Sequence, residues 1–243
     1  MNNILSFKDG VLFPELFIGV ISYVSASSVK INFTDACYPS GSHFSGRRYG
    51  RGEVGEFVLI EGQTKLLLGR IVEVKLPETE RKILKPSKID ISGLDAVGAI
   101  QLLGSVEMDS LRVKTGVDNY PRLGDRVYSA PHEFISQLPL LIDKINENVE
   151  ESVLISVGYV DDTGKSIVKI KPEKLFGRHC AILGTTGGGK SWTTAHLIEE
   201  CIKYNSKIIL IDPTGEYRNF LGDHIQHCSL GSPPDTDNSI QCS

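Results

Sequence analysis

The sequence predicts a mixed fold, in which a small N-terminal β-barrel is followed by the beginning of an α/β domain. From Phe17 to Tyr128, short β-branched and aliphatic runs are separated by Gly, Ser, Asp and Pro, a pattern typical of short strands. Between Cys180 and Ile211, an apolar run, a glycine-rich loop, a helix-compatible segment and a second apolar run follow in order. The length of 243 residues suits two ordinary domains.

Six segments of the N-terminal half have the composition of strands. They are Ile18–Val24, Val29–Phe33, Glu56–Glu61, Leu66–Leu76, Ala99–Met108 and Asp125–Tyr128. A small closed barrel would leave none of their edges unpaired. Leu138–Val149 has the pattern of a helix or a connector, and we expect the domain boundary near it, giving residues 1–135 and 136–243.

The second half begins with a predicted hairpin. Its strands are Val153–Val160 and Ser166–Ile170, joined by turn residues. Beyond it, Cys180–Leu183 and Lys207–Ile211 read as buried parallel strands, and Ser191–Tyr204 has the apolar spacing of a helix. This strand, loop, helix, strand order predicts a right-handed βαβ unit.

Composition restricts the class of protein. The chain is 40% hydrophobic and 23% charged, has no run of about 18 apolar residues, and lacks a signal-peptide pattern, so we expect a soluble cytoplasmic protein without a membrane partner. Its five cysteines have no paired CxxC spacing and predict free thiols. A formal net charge of -4 argues against a uniformly basic coat for nucleic acid, although a local basic patch or a channel surface could still hold DNA.

The loop after the first predicted α/β strand satisfies the GxxxxGK[ST] pattern, with a strand before it and a helix after it. Its members are Gly184, Thr185, Thr186, Gly187, Gly188, Gly189, Lys190 and Ser191. Glycines let successive N–H groups turn towards phosphate, and the helix adds the positive end of its dipole. Lys190 would reach the β and γ phosphates of ATP, and the Ser191 hydroxyl would coordinate Mg²⁺. The alternative is a glycine-rich turn that only packs a helix against a strand.

Two carboxylates follow the second predicted α/β strand, at the edge where ligands bind in open α/β sheets. Glu216 could orient or deprotonate an attacking water, and Asp212 could hold Mg²⁺ through water or fix the loop. The alternative is structural: Asp212 would cap a turn before Pro213, and Glu216 would be solvated.

These motifs resemble the HerA family of hexameric DNA-translocating ATPases. The resemblance rests on residues 178–191 and 212–217, with a weaker match of residues 120–128 to a barrel segment. It implies a β-barrel for assembly or partner binding before a RecA-like motor, a homo-hexameric ring around double-stranded DNA, and a partner nuclease or other effector. Thr214 departs from the family, which often has histidine there, so any role of that side chain is open.

The resemblance also suggests that Arg178 approaches a nucleotide across a subunit boundary; the alternative is a surface arginine before a strand. Too few residues follow Ser191 for a whole RecA-like sheet, so the sequence reads as the N-terminal portion of a motor. The leading hypothesis is therefore the ATP-binding part of a DNA translocase or helicase. A non-enzymatic barrel adaptor for oligomerisation or effector docking is the alternative, and a P-loop kinase or small GTPase ranks last.

Three arginines, Arg47, Arg48 and Arg51, lie among glycines in the segment Gly46–Gly52. The sequence favours a solvated loop, and the alternative is contact with a phosphate backbone or a partner.

Overall fold

In the computed structural model, the described residues are 10–26, 28–34, 42–76, 96–143, 153–221, 225–230 and 238–240. The contact pattern divides the chain into two units. The first, here called the barrel unit, comprises Met1–Glu151 and Gly158–Val168. The second, here called the nucleotide unit, comprises Ser152–Val157 and Lys169–Ser243.

The barrel unit is built on a closed antiparallel sheet. Nine strands are described between Phe17 and Ser129: β1 (Phe17–Val24), β2 (Val29–Phe33), β3 (Ser42–Phe44), β4 (Arg47–Tyr49), β5 (Phe57–Glu61), β6 (Lys65–Lys75), β7 (Ala96–Glu107), β8 (Val113–Thr115) and β9 (Arg126–Ser129). The ring order is β2-β1-β9-β5-β6-β7, and the pairing of β2 with β7 closes it. Strand β8 adds to β7, while β3 and β4 form a separate hairpin. The predicted six-stranded barrel is confirmed, with strand ends within three residues of the predicted ones.

Both faces of the barrel sheet are buried in places, which explains why the strands do not alternate cleanly between apolar and polar residues. In β5, Val58 and Ile60 belong to the interior cluster, whereas Leu59 between them belongs to a cluster on the other face. That outer cluster is covered by helix α1 (His132–Asp143) through Phe134 and other residues. A strand buried on both faces reads as a continuous apolar run.

The arginine segment is not the loop that the sequence predicts. Residues 47–49 pair with 42–44 as the hairpin β3–β4, whose turn contains Ser45 and Gly46. Tyr49 is buried and stacks on the His132 ring at a centroid distance of 4.3 Å. Its hydroxyl accepts a hydrogen bond from the His132 amide. This contact between distant residues holds the segment in a strand, and local strand propensities do not predict it.

The described elements after the barrel are the hairpin β10 (Ile155–Tyr159) and β11 (Ile167–Ile170), helices α2 (Pro172–Phe176) and α3 (Lys190–Ile202), a 3-10 helix at Glu216–Asn219, and the parallel strands β12 (Cys228–Leu230) and β13 (Asn238–Ile240). The predicted hairpin and helix are confirmed. Of the connector, residues up to Asp143 belong to α1, and 144–149 lie outside the described residues.

The two predicted parallel strands of the α/β domain are corrected by the structure. Residues 180–183 and 207–211 are not in strand conformation, and neither segment pairs with a strand among the residues described. Leu183 and Ile211 are exposed, and the Ile209 side chain is 93% exposed. Apolar runs predict a preference for buried strands, but a strand forms only with a hydrogen-bonded neighbour.

Two smaller observations complete the fold. Cys180, Cys201 and Cys228 are free thiols, as predicted, and the other two cysteines lie outside the described residues. Among the described helices, none has both the length and the apolar character needed to span a lipid bilayer.

Candidate nucleotide-binding site

The glycine-rich loop runs directly into helix α3, as the motif requires. Gly187 and Gly189 have φ angles of +78° and +82°, in the left-handed region that residues with a Cβ rarely adopt. Gly189 is the N-cap of α3, and its carbonyl accepts a hydrogen bond from the Thr193 amide at 2.8 Å. The first N–H groups of a helix have no intrahelical acceptor, so this end of α3 presents donors and a positive dipole end to an anion.

The Lys190 ammonium folds back over the loop. Its Nζ donates a hydrogen bond to the Thr185 carbonyl at 2.8 Å, across the positions that carry the glycines. The Gly188 amide donates to the same carbonyl at 3.0 Å, which closes a tight turn. Lysine is a flexible point charge with three donors, so a bound phosphate would compete with one carbonyl for it. The cation is thus already placed inside the loop that is expected to hold phosphate.

Ser191 and Glu216 are brought together although 25 positions separate them. Ser191 Oγ donates a hydrogen bond to Glu216 Oε2 at 2.6 Å. The carboxylate belongs to the first residue of the 3-10 helix, whose N-cap Gly215 has a φ of +72°. Of the two acidic residues singled out in the sequence, Glu216 is therefore the one in contact with the phosphate-loop motif.

Asp212 is occupied in holding its own turn. Its Oδ1 accepts hydrogen bonds from the Thr214 amide and hydroxyl and the Gly215 amide at 3.0–3.2 Å, and its Oδ2 accepts one from the Tyr217 amide at 2.9 Å. The hydrogen bond from the Tyr217 amide, followed by those from Thr214 and Gly215, lowers the pKa of the Asp212 carboxyl. The geometry suits fixing of the loop that carries Glu216. Thr214, at the position where the HerA family often has histidine, thus has a structural role as a hydrogen-bond donor to Asp212.

Arg178 is exposed at the bend after α2. With the residues that the structure describes, its guanidinium makes no hydrogen bond or ion pair. His179 is exposed beside it. The contact across a subunit boundary that the resemblance implies for Arg178 therefore stays a prediction.

Helix α3 is held by the N-terminal part of its own unit. Leu197 and Cys201 pack with Ile155, and the Tyr204 hydroxyl donates to the Leu154 carbonyl at 2.9 Å. The buried Glu200 accepts a hydrogen bond from the Ser156 amide at 2.9 Å. Burial raises the pKa of the Glu200 carboxyl, but the hydrogen bonds from Lys203 and Ser156 outweigh it, so the pKa lies below the usual value. The spacing of Glu200 in the sequence gave no sign of this role.

A second side of α3 packs against the segment that carries the second carboxylate. Ala195 and Ile198 form a cluster with Leu221, joined by Leu210 and Tyr217. The helix after the glycine loop and the segment that supplies Glu216 thus share a small apolar core, which brings the two motifs of the sequence to one place.

The three arginines of the N-terminal half are used within the barrel unit. Arg47 is buried and forms ion pairs with Glu133 and with Asp161, the latter at 3.3 Å from Nε to Oδ2. Arg48 pairs with Glu53 at 2.5 Å, and Arg51 donates to the Glu15 carbonyl at 2.9 Å. The expectation of a solvated segment is wrong for Arg47, whose buried charge is compensated by two carboxylates from helix α1 and the β10–β11 turn.

A cluster of ionisable groups surrounds that arginine. The Asp161 side chain is only 4% exposed and lies 3.7 Å from His132 Nδ1. Burial acts to raise its pKa, but the Ser166 and Thr163 hydroxyls, the Lys165 amide and the charge of Arg47 lower it to about 2. Burial lowers the pKa of the neighbouring His132. The cluster has the contacts of a structural unit that ties β4, α1 and the hairpin turn together.

Comparison with known proteins finds a family match over the part of the chain that contains both motifs. The family described as "Helicase HerA, central domain" matches residues 155–236. A protein of Methanocaldococcus jannaschii named "Probable DNA double-strand break repair helicase HerA" is 32% identical over 132 residues, which are 53% of this chain and 26% of that protein. A probable helicase of the same organism is 39% identical over 79 residues, 31% of this chain and 15% of the relative. An uncharacterised protein of Aquifex aeolicus is 25% identical over 141 residues, 57% and 47% of the two chains.

The chain thus combines a closed barrel with a loop of the GxxxxGK[ST] sequence pattern, whose Ser191 contacts the carboxylate of Glu216. Over residues 155–236, the chain matches the central domain of the HerA family. It spans about a quarter or less of the two helicases just described, and just under half of the Aquifex protein.

Proposed function

We propose that this chain is the ATP-binding part of a HerA-like ring ATPase that translocates along or unwinds double-stranded DNA together with a nuclease or other effector. The observation that carries the proposal is the contact between Ser191 and Glu216 at 2.6 Å beside a complete GxxxxGKS loop. Neither motif alone is as specific as the two in contact, because a glycine-rich turn that only packs a helix needs no second carboxylate.

In this proposal the loop binds the triphosphate mainly through its backbone. The amides from Thr186 to Gly189 and the first turn of α3 donate to phosphate oxygens, and Lys190 leaves the Thr185 carbonyl to neutralise the β and γ phosphates. The donor set also suits Mg²⁺. That cation is usually bound by one or two protein oxygens together with substrate phosphates and water, and the Ser191 hydroxyl, held by its hydrogen bond to Glu216, is such an oxygen.

When bound, Mg²⁺ supplies charge to stabilise the transferring phosphoryl group. The role of Glu216 is to accept the Ser191 hydroxyl proton in a hydrogen bond and to act on water near the phosphate chain. Asp212 acts one step away, by fixing the turn that presents Glu216. The hexameric ring, the contact of Arg178 with a neighbouring nucleotide, the DNA substrate, the effector and the cytoplasmic location rest on the family match and the sequence and belong to the proposal.

Removing the Lys190 charge is the direct test of the phosphate site. A charge pair at 4 Å is worth about 4 kcal/mol at an effective dielectric of about 20, before desolvation is subtracted, so Lys190→Ala should weaken ATP binding at least about tenfold. Calorimetric titration with Mg²⁺ and ATP measures this, and GTP in parallel tests the choice of base. Lys207→Ala, which removes an exposed lysine of the same unit, is the control. Equal affinity for wild type and Lys190→Ala rejects the site.

A second variant tests the division of roles. Glu216→Gln keeps the size of the side chain and removes its charge, so it should lower ATP turnover more than ATP affinity. Equal turnover by variant and wild type assigns Glu216 a structural role instead.

The adaptor hypothesis has one supporting observation, the closed barrel with an interior core of its own. A barrel without open edges is able to fold alone. Light scattering of residues 1–170, alone and with a candidate nuclease, tests it. The fragment retains Asp161, which compensates the buried Arg47 charge. Self-association or binding to the nuclease supports the adaptor role, and a strictly monomeric fragment that binds nothing rejects it.

A further inference from the structure

An exposed aromatic pair lies beside the glycine loop. Trp192 follows Ser191 in the first turn of α3 and is 68% exposed, and Phe220 directly follows the 3-10 helix. Their ring centroids are 5.6 Å apart with an interplanar angle of 76°, the edge-to-face arrangement that aromatic rings favour. Burial of apolar surface does not account for an indole that stays so exposed.

This pair joins the same two segments as the hydrogen bond between Ser191 and Glu216. Trp192 is the next residue after Ser191, and Phe220 lies at the opposite end of the 3-10 helix that begins with Glu216. A hydrogen bond between exposed groups competes with water and is weak by itself. A second contact between the same segments raises the effective concentration of the carboxylate at the hydroxyl and keeps the hydrogen bond formed.

We propose that Trp192 and Phe220 are positioning residues that hold Glu216 against Ser191 and thereby orient the serine hydroxyl for Mg²⁺. A hydroxyl that donates its hydrogen to a carboxylate turns its lone pairs outwards, where a cation can use them. The inference rests on the proposed nucleotide site and adds a specific consequence. The aromatic contact sets how much Mg²⁺ improves nucleotide binding, and leaves binding of the phosphates themselves unchanged.

The first arm of the test needs no nucleotide. Trp192 is the single tryptophan of the sequence, so fluorescence anisotropy reports its mobility directly. Phe220→Ala should lower the anisotropy, Phe220→Tyr should retain it, and Phe176→Ala, which removes another exposed phenylalanine of this unit, is the control. Glu216→Ala should also lower the anisotropy, because the two contacts support each other. Unchanged anisotropy in Phe220→Ala or in Glu216→Ala overturns the coupling.

The second arm compares ATP affinity in Mg²⁺ and in EDTA. Phe220→Ala should reduce the gain in affinity given by Mg²⁺ about two- to twelvefold, the effect of one aromatic pair, while affinity in EDTA stays at the wild-type value. Phe220→Tyr should restore the gain. An equal gain in wild type and Phe220→Ala overturns the proposal even if the anisotropy falls, since the pair is then packing only. If wild type binds no ATP under either condition, the proposed function fails, and the Glu216→Ala anisotropy still decides the coupling.

Discussion

The barrel unit and the nucleotide unit use similar apolar sequences with different results. In the barrel, six strands each have two hydrogen-bonded neighbours, and Phe33 and Ile60 are fully buried. In the nucleotide unit, the equally apolar run 207–211 is not in strand conformation, and Ile209 is almost fully exposed. Composition sets a preference for strand, and pairing decides whether the strand forms.

The contrast also appears in how charge is handled. The barrel unit buries Arg47 among Glu133 and Asp161, where solvent screens the charges little. The nucleotide unit keeps Lys190 over the loop and Glu216 at the surface. Buried ion pairs are costly to break, whereas surface groups exchange partners at low cost. The barrel charges therefore suit a fixed structure, and the loop charges suit a site that exchanges ligands.

The largest effect is expected in the outer cluster of the barrel. Phe134 of α1 is fully buried against strand residues such as Leu59 and Leu68, so Phe134→Ala should lower the free energy of unfolding by about 3–5 kcal/mol. Hydrogen exchange of the β6 and β7 amides in urea measures this loss within one unit. The control Phe176→Ala removes an exposed ring and should change stability by less than about 0.5 kcal/mol. A small effect at Phe134 would remove the distinction between the units.

The next effect tests the buried charge. Arg47→Leu leaves Asp161 buried without its cation and should cost about 3 kcal/mol in the free energy of unfolding. Arg48→Leu, on the same strand, removes a half-exposed pair with Glu53 that solvent screens, so it should cost clearly less than Arg47→Leu. Hydrogen exchange of the barrel amides in urea measures the loss of unfolding free energy in both variants. Similar costs would show that Arg47 is as dispensable as a surface residue.

The amount predictable from sequence differs between the units. The barrel strands were predictable because six short runs separated by turn residues have few other arrangements. The glycine loop was predictable because its sequence pattern already contains the groups expected to bind phosphate. The ion pair between Arg47 and Asp161 joins positions far apart in sequence, and nothing local marks it. The contact between Ser191 and Glu216 was suggested by two motifs, but its distance required the packing of Ala195 and Ile198 on Leu221.

Acid should weaken the barrel unit in a defined range. The pKa of Asp161 is lowered to about 2 in the fold, so its contribution to stability is complete above the unfolded pKa near 4 and is lost as pH falls through about 2. The loss is about 2 kcal/mol. His132, whose pKa is lowered by burial, adds a loss of the same sign below its unfolded pKa of about 6.5. The charged groups that face them are Arg47 and Glu133.

Asp161→Asn separates the two contributions. The variant should lose the acid dependence between about pH 4 and 2 and keep the slope that His132 gives near pH 6. Urea midpoints of the barrel amides measured from pH 7 down to 2.5 provide the comparison. An unchanged profile in the variant would assign the acid sensitivity to other carboxyl groups.

The smallest expected effect is at the exposed run of the nucleotide unit, and it defines the comparison most sharply. Ile209 is 93% exposed, so Ile209→Ser removes almost no buried surface and should change the free energy of unfolding by less than about 0.5 kcal/mol. The same replacement at the fully buried Ile60 of β5 should cost several kilocalories per mole, roughly the 2–5 kcal/mol of a large-to-small core change with a buried hydroxyl added. Fluorescence of Trp192 follows unfolding of the nucleotide unit, and hydrogen exchange follows the barrel.

A loss above about 1 kcal/mol for Ile209→Ser would mean that this side chain is packed in solution, since surface substitutions rarely reach that size. Concentration dependence of that loss would then identify a second copy of the chain as the packing partner.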